Sequence, residues 1–152
     1  MSRILIVLSA ASTWTRADGS KYDSGVWAEE FVVMHEMFVR AGCDVDIATP
    51  GGTTPTIDPY SMNPKVIGPE HADQFRKYID SIAPLLSKPL TLAGVEASSY
   101  DVIALPGGHG PVEDLPIPEV SQREDAQVDD EDVPEQGRRP HGSTSDDDRV
   151  RE

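Results

Sequence analysis

An α/β fold built on a mainly parallel sheet is what this sequence predicts, and three observations carry the expectation. Ile4-Leu5-Ile6-Val7-Leu8 is apolar without a polar break, as in a strand covered on both faces. A strand-like run, a helix-like run and a second strand-like run follow one another within about 45 residues, the length of a βαβ unit. A third apolar run, Tyr100 to Leu105, ends in Pro106-Gly107-Gly108-His109-Gly110. That is a buried strand stopping at a turn with free backbone N–H groups, at the strand end where α/β folds build their sites.

The elements follow in order. Arg3–Ser9 is rich in leucine and β-branched residues and reads as a central strand. Ala10–Ser24 is polar and contains glycine, so a loop is expected. Gly25–Ala41 has helical periodicity and is closed by Gly42 at the C′ position. Asp44–Thr49 alternates and then meets Pro50-Gly51-Gly52, which predicts a strand and a turn. Residues 53–68 hold Pro55, Pro59 and Pro64 and read as a loop. Phe75, Ile79, Ile82 and Leu86 recur at helical spacing, giving a helix over 69–86 that Pro84 kinks or ends early. Residues 89–93 suit a short extended piece and Asp101–Leu105 a third main strand. Gly110–Leu115 starts another helix, with Glu113 and Asp114 suited to its first turn.

Composition changes sharply after Leu115. Residues 1–115 hold fifteen acidic and eight basic side chains and all nine aromatic ones. Residues 116–152 hold twelve acidic and five basic side chains, four prolines and six apolar residues. So few apolar groups do not offset the entropy of ordering, and a disordered acidic C-terminal tail is expected after a domain over 1–115.

The formal net charge of -14 argues against nucleic acid and anionic membranes as partners, since both repel it. The single cysteine, Cys43, excludes an intrachain disulfide and fits a reducing compartment. No apolar run is long enough to cross a bilayer, so a cytoplasmic location is expected.

The helix over 25–41 carries one residue out of place. Trp27, Phe31, Met34 and Phe38 share a face, and Glu29, Glu36 and Arg40 lie nearly opposite. Glu30 falls among the apolar group, where a carboxylate is costly unless paired, hydrogen-bonded or protonated. Two readings stand. Glu30 faces a cavity at the helix N-terminus near the carboxyl ends of the strands, or it sits at the edge of the stripe and bends out to water or bonds a loop N–H. His109, after the two glycines, suits either a pocket or a turn held by local bonds. His35 and His71 read as surface or capping residues. No His/Cys/Asp grouping has zinc spacing, and the Gly107-Gly108 turn lacks the Gly-Lys-Ser/Thr ending of a phosphate loop. No metal and no cofactor are expected.

Taken together, five pieces resemble the ThiJ/PfpI family of the class I glutamine amidotransferase-like superfamily, and its chaperone and glyoxalase III branch in particular. They are Ile4–Ser9, Gly25–Glu30, Ala41–Gly52, Ile57–Ser61 and Tyr100–Pro111, in that order. The resemblance covers residues 1–115. It implies a flavodoxin-like three-layer sandwich, of which this chain would hold the N-terminal part, and a homodimer. It implies that Glu30 supports a cysteine nucleophile and that the Gly108 N–H helps form an oxyanion hole, with Gly107 and His109 on the binding side. The implied chemistry is glutathione-independent conversion of methylglyoxal, a small aldehyde, to lactate, or protein deglycase activity. Stress chaperoning is a third family role.

One part of the pattern is missing. The family sets its nucleophile in an Ala-x-Cys-His-Gly-like segment some 25 to 30 residues after the Gly-Gly turn, whereas this sequence there reads Glu131 to Arg138 without cysteine. Cys43 follows the helix-ending Gly42 and enters a strand at its amino end, the wrong edge of the sheet. The expectation is a chain in which Glu30 is a vestigial acid/base, thiol catalysis is absent, and the sequence past Leu115 reads as truncated or frameshifted. The alternatives are a non-catalytic chaperone-like or binding module, or a defective fragment.

Overall fold

The computed structural model describes residues 1–115. The tail, 116–152, and the expectation of disorder there lie outside the described residues.

Strand β1 (Arg3–Val7) is central because its side chains are apolar in both directions. Ile4 and Ile6, with Leu8 beyond the strand, join one hydrophobic cluster; Leu5 and Val7 join a second on the opposite face. Alternation along a strand sends successive residues to opposite faces, so an unbroken apolar run serves a strand covered twice. On one side β1 pairs with β4 (Asp44–Thr49) and on the other with β6 (Val102–Ala104), both parallel. The short β5 (Leu90–Thr91) adds in parallel to β4, giving the order β5-β4-β1-β6. Within the described residues β6 is thus an edge.

Helices α1 (Ala28–Arg40) and α3 (Pro69–Ser81) share the first cluster with β1 through Phe31, Val32 and Phe75. The second cluster is closed by Leu92, Val95, Tyr100 and Leu115, which are only partly buried. Three single turns complete the fold: α2 (Pro64–Ile67), α4 (Ala83–Leu86) and α5 (Gly110–Asp114).

Four expectations require correction. The segment expected as a loop, Ala10–Ser24, holds an antiparallel hairpin, β2 (Thr13–Thr15) with β3 (Lys21–Asp23). Its turn carries Asp18-Gly19, with Gly19 at φ 81°, a conformation glycine adopts without steric cost. The first helix begins at Ala28 rather than Gly25, because Gly25–Trp27 is extended and bridges Ile57 and Gly108. Residues 53–68, expected as a loop, contain the helical turn α2, which Asn63 caps by accepting from Lys65 N at 2.9 Å. The break of the second long helix at Ile82, by contrast, agrees with the expectation from Pro84, which has no N–H to give and crowds the carbonyl four residues back.

The fourth correction is His35. It is not a surface residue but 3% exposed, on the buried face formed with Ala28, Phe31 and Val32. Its Nδ1 lies 2.8 Å from the Tyr78 hydroxyl, and its Nε2 is buried without a hydrogen-bond partner among the described residues. Burial holds its pKa below the ordinary 6.5. The unfolded chain therefore takes up this proton at a higher pH than the folded one. Stability contributed by the neutral ring is present above 6.5 and is lost as pH falls below it, down to the lower folded value. Urea unfolding of the wild-type chain and of His35→Gln from about pH 7 to about pH 5 checks this. The wild type should lose stability relative to the variant as pH drops; a constant difference contradicts the assignment.

Candidate functional site

The carboxyl ends of β1 and β6 meet the extended segment Gly25–Trp27, and this junction positions the site. Val26 N donates to Thr56 O at 2.8 Å, and Asp58 N to Val26 O at 2.9 Å. Trp27 N donates to Gly107 O at 3.0 Å, and Gly110 N to Gly25 O at 3.2 Å. The Gly-Gly turn and the start of α1 are thereby fastened to each other. Gly108 has φ 117°, which carries the chain past Gly25 without a side chain in the way. Its N–H makes no hydrogen bond among the described residues.

Helix α1 starts on Trp27, which offers no side-chain cap. The Ser61 hydroxyl substitutes from a distant loop: it accepts from Ala28 N at 2.9 Å and donates to Asp58 O at 2.7 Å. Asp58, 3% exposed, accepts from Tyr60 N at 2.7 Å and from the Ser24 hydroxyl at 3.1 Å. These contacts fix the helix entry and, one turn on, Glu30.

The structure brings Glu30 and Gly107 together. Gly107 N donates to Glu30 Oε2 at 2.5 Å. Glu30 is exposed rather than trapped among apolar side chains, so of its two readings the loop-bonded one describes the contact. With Glu29 it borders an open groove of about 460 Å³ otherwise apolar, between Met34, Met37 and Phe38 of α1 and Leu105-Pro106 after β6. The junction thus holds a carboxylate against one backbone N–H, with a further N–H, that of Gly108, unspent among the described residues.

His109 is not brought to Glu30. It stacks on Trp14 of the hairpin, centroids 4.3 Å apart, and lines a separate cleft with Trp27 and Tyr60. Cys43 lies in the link between α1 and β4, its N–H bonded to Phe38 O at 3.0 Å, its side chain packed against the core. That is the amino end of β4, and Arg3 there pairs with Asp44. At about 3.3 Å per residue, the length of the strand separates Cys43 from the Gly-Gly turn.

Sequence reasoning missed two parts of this region. The hairpin was signalled by Asp18-Gly19 between two alternating segments, Thr13-Trp14-Thr15 and Lys21-Tyr22-Asp23. Asp114, expected in a helical first turn, instead ends α5 and clasps the loop after β1. It accepts from the Ser9 hydroxyl and Ala10 N, both at 2.7 Å, and from Ala11 N at 2.9 Å. No local signal announces a carboxylate aimed at a segment a hundred residues away.

No family model and no curated protein matches this chain. Solved structures do. Glyoxalase III from Candida albicans superposes with a TM-score of 0.58 at 22% identity, over 73% of this chain and 45% of its own. The rapid encystment protein of 24 kDa from Francisella tularensis gives 0.60 at 24% identity, over 77% and 49%. A third solved structure gives 0.55 at 31% identity, over 78% and 48%. The chain thus spans about half the length of the structures it matches. By the fold of its described residues, this chain is ThiJ/PfpI-like.

Proposed function

We propose that this chain is a ThiJ/PfpI-like domain that keeps the acid/base and anion-stabilising half of a glyoxalase III-type site and performs no thiol catalysis with it. The observation that carries the reading is the Glu30–Gly107 pair at the strand ends with the only sulfhydryl, Cys43, at the opposite end of the sheet. Methylglyoxal conversion by the family route needs a thiolate to attack the aldehyde carbon, a carboxylate to move protons and N–H groups to hold the developing oxyanion. The second and third are present here. The first has no residue in this sequence to supply it.

The expected result is that purified full chain consumes methylglyoxal no faster than buffer, with Cys43→Ser and Glu30→Gln indistinguishable from it. Turnover abolished by Glu30→Gln overturns the proposal. Such a loss would mean the carboxylate works with a nucleophile other than a cysteine of this chain.

A second reading is favoured by one observation, the state of the β6 edge. Val102, Ile103 and Leu105 are 43%, 44% and 55% exposed, and the groove that Leu105 borders is apolar apart from Glu29 and Glu30. An unpaired edge with apolar side chains is a template for an extended segment of another chain, which is the chemistry of a chaperone-like role. Light scattering of an aggregating client should then fall in the presence of the full chain and recover with Ile103→Lys, which places a charge on the edge. Equal protection by both chains rejects an edge-based role.

A further inference from the structure

The hairpin missed by sequence reasoning and the Asp58 loop enclose a cleft of about 590 Å³. That lies within the range of small-molecule sites. One part of its lining is a π-stack. Trp14 lies on His109, and the Arg16 guanidinium sits 5.2 Å from the Trp14 ring and 3.9 Å from that of Tyr22. A second aromatic pair, Trp27 and Tyr60, has centroids 6.4 Å apart, and no cation lies over it among the described residues. Two carboxylates, Asp23 and Asp58, join Ser24 and Asn63 in the polar lining. Neither forms an ion pair among the described residues.

Asp58 is the telling residue. A carboxylate 3% exposed is expensive without a counter-charge. Its two hydrogen bonds, from Tyr60 N and Ser24 Oγ, occupy two of about four acceptor positions. Two carboxylates against one guanidinium leave the cleft net negative. Aromatic faces attract cations through their quadrupoles. We propose that this cleft binds an organic cation bearing a primary ammonium or guanidinium group, which donates to Asp58 and Asp23 and lies on the Trp27 and Tyr60 rings. Arg16 does not fill this role, because its own charge is spent on Trp14 and Tyr22. The cation comes either from a free small amine or from a Lys or Arg side chain of a polypeptide.

The chain has two tryptophans, Trp14 and Trp27, and both line the cleft, so intrinsic emission reports occupancy directly. The probes are n-butylammonium, n-butylguanidinium, neutral n-butanol, anionic butyrate and a short Arg-containing peptide, titrated into the full chain. A saturable emission change is expected for the cations and not for n-butanol or butyrate. Tighter binding of the peptide than of n-butylguanidinium assigns the polypeptide source, and equal binding the free amine. Asp58→Asn should weaken binding about tenfold or more. Because Asp58 also holds its loop, Tyr60→Leu provides the second variant: Tyr60 is 61% exposed, and its loss should cost about fivefold with the fold intact. No saturable change with any cation, a response equal to that of n-butanol, a preference for butyrate, or unchanged affinity in Tyr60→Leu overturns the proposal.

Discussion

Gly108→Ala should destabilise the domain by about 3 kcal/mol or more, enough to unfold a large fraction of a marginally stable chain. Two costs add. The backbone at φ 117° is strained for any residue with a Cβ. That Cβ would also fall deep inside the contact radius of Gly25 O and at 2.9 Å from Trp27 N. Neither neighbour is a flexible side-chain tip. Both belong to the segment fastened by Val26 N to Thr56 O and by Trp27 N to Gly107 O, so relief requires breaking main-chain hydrogen bonds. Gly42→Ala is the control. It shares a positive φ of 74° but meets nothing within 4 Å, so it should cost only about 1–2 kcal/mol. Urea unfolding of both variants decides the matter. Equal losses would mean that the Gly-Gly turn does not press against the start of α1, and the Glu30–Gly107 contact would lose its structural basis.

The same junction shows what was legible in the sequence. The strand–helix–strand unit and the Pro-Gly-Gly stop after β6 were readable because each is encoded locally, in an apolar run or a breaker residue; the contact of Glu30 with that turn, 77 residues away, was not. The register of α1 was not. Periodicity placed Trp27, Phe31, Met34 and Phe38 on the core side; the helix fully buries Ala28, Phe31, Val32 and His35 and leaves Met34 and Phe38 half-buried at the margin of the same cluster. The difference is a rotation of the apolar stripe. It arises because Trp27 is not helical at all but belongs to an extended bridge whose partners, Ile57 and Gly108, are distant in sequence. Periodicity also carries no knowledge of which side a neighbouring strand covers. With β6 at the edge among the described residues, Met37 and the outer sides of Met34 and Phe38 border the open groove beside Leu105 and Pro106. The cleft lined by Trp14, Trp27 and Asp58 was invisible for the same reason, since three segments far apart in sequence assemble it.

The rotated stripe makes its own prediction, because two apolar residues on one helix should respond in opposite ways. Phe31→Ala should cost about 3–5 kcal/mol. The ring is fully buried, packs in the cluster with Ile4, Ile6, Leu8 and Phe75, and lies 5.7 Å from the His35 ring. Truncation leaves a cavity between α1, α3 and β1 that the fastened start of the helix cannot close. Met37→Ala should change stability by less than about 0.5 kcal/mol, since Met37 is 64% exposed. A helix that turned Met37 to the core would reverse this order, because a buried Met truncation costs about 2–5 kcal/mol. Urea unfolding of the two variants therefore reads the rotation of α1 directly. A large loss in Met37→Ala would mean that the groove beside β6 is filled in solution. The edge-based reading requires that groove to be open, so it would fall with the helix orientation, while the aromatic cleft on the other side of the Trp27–Gly107 bond would stand untouched.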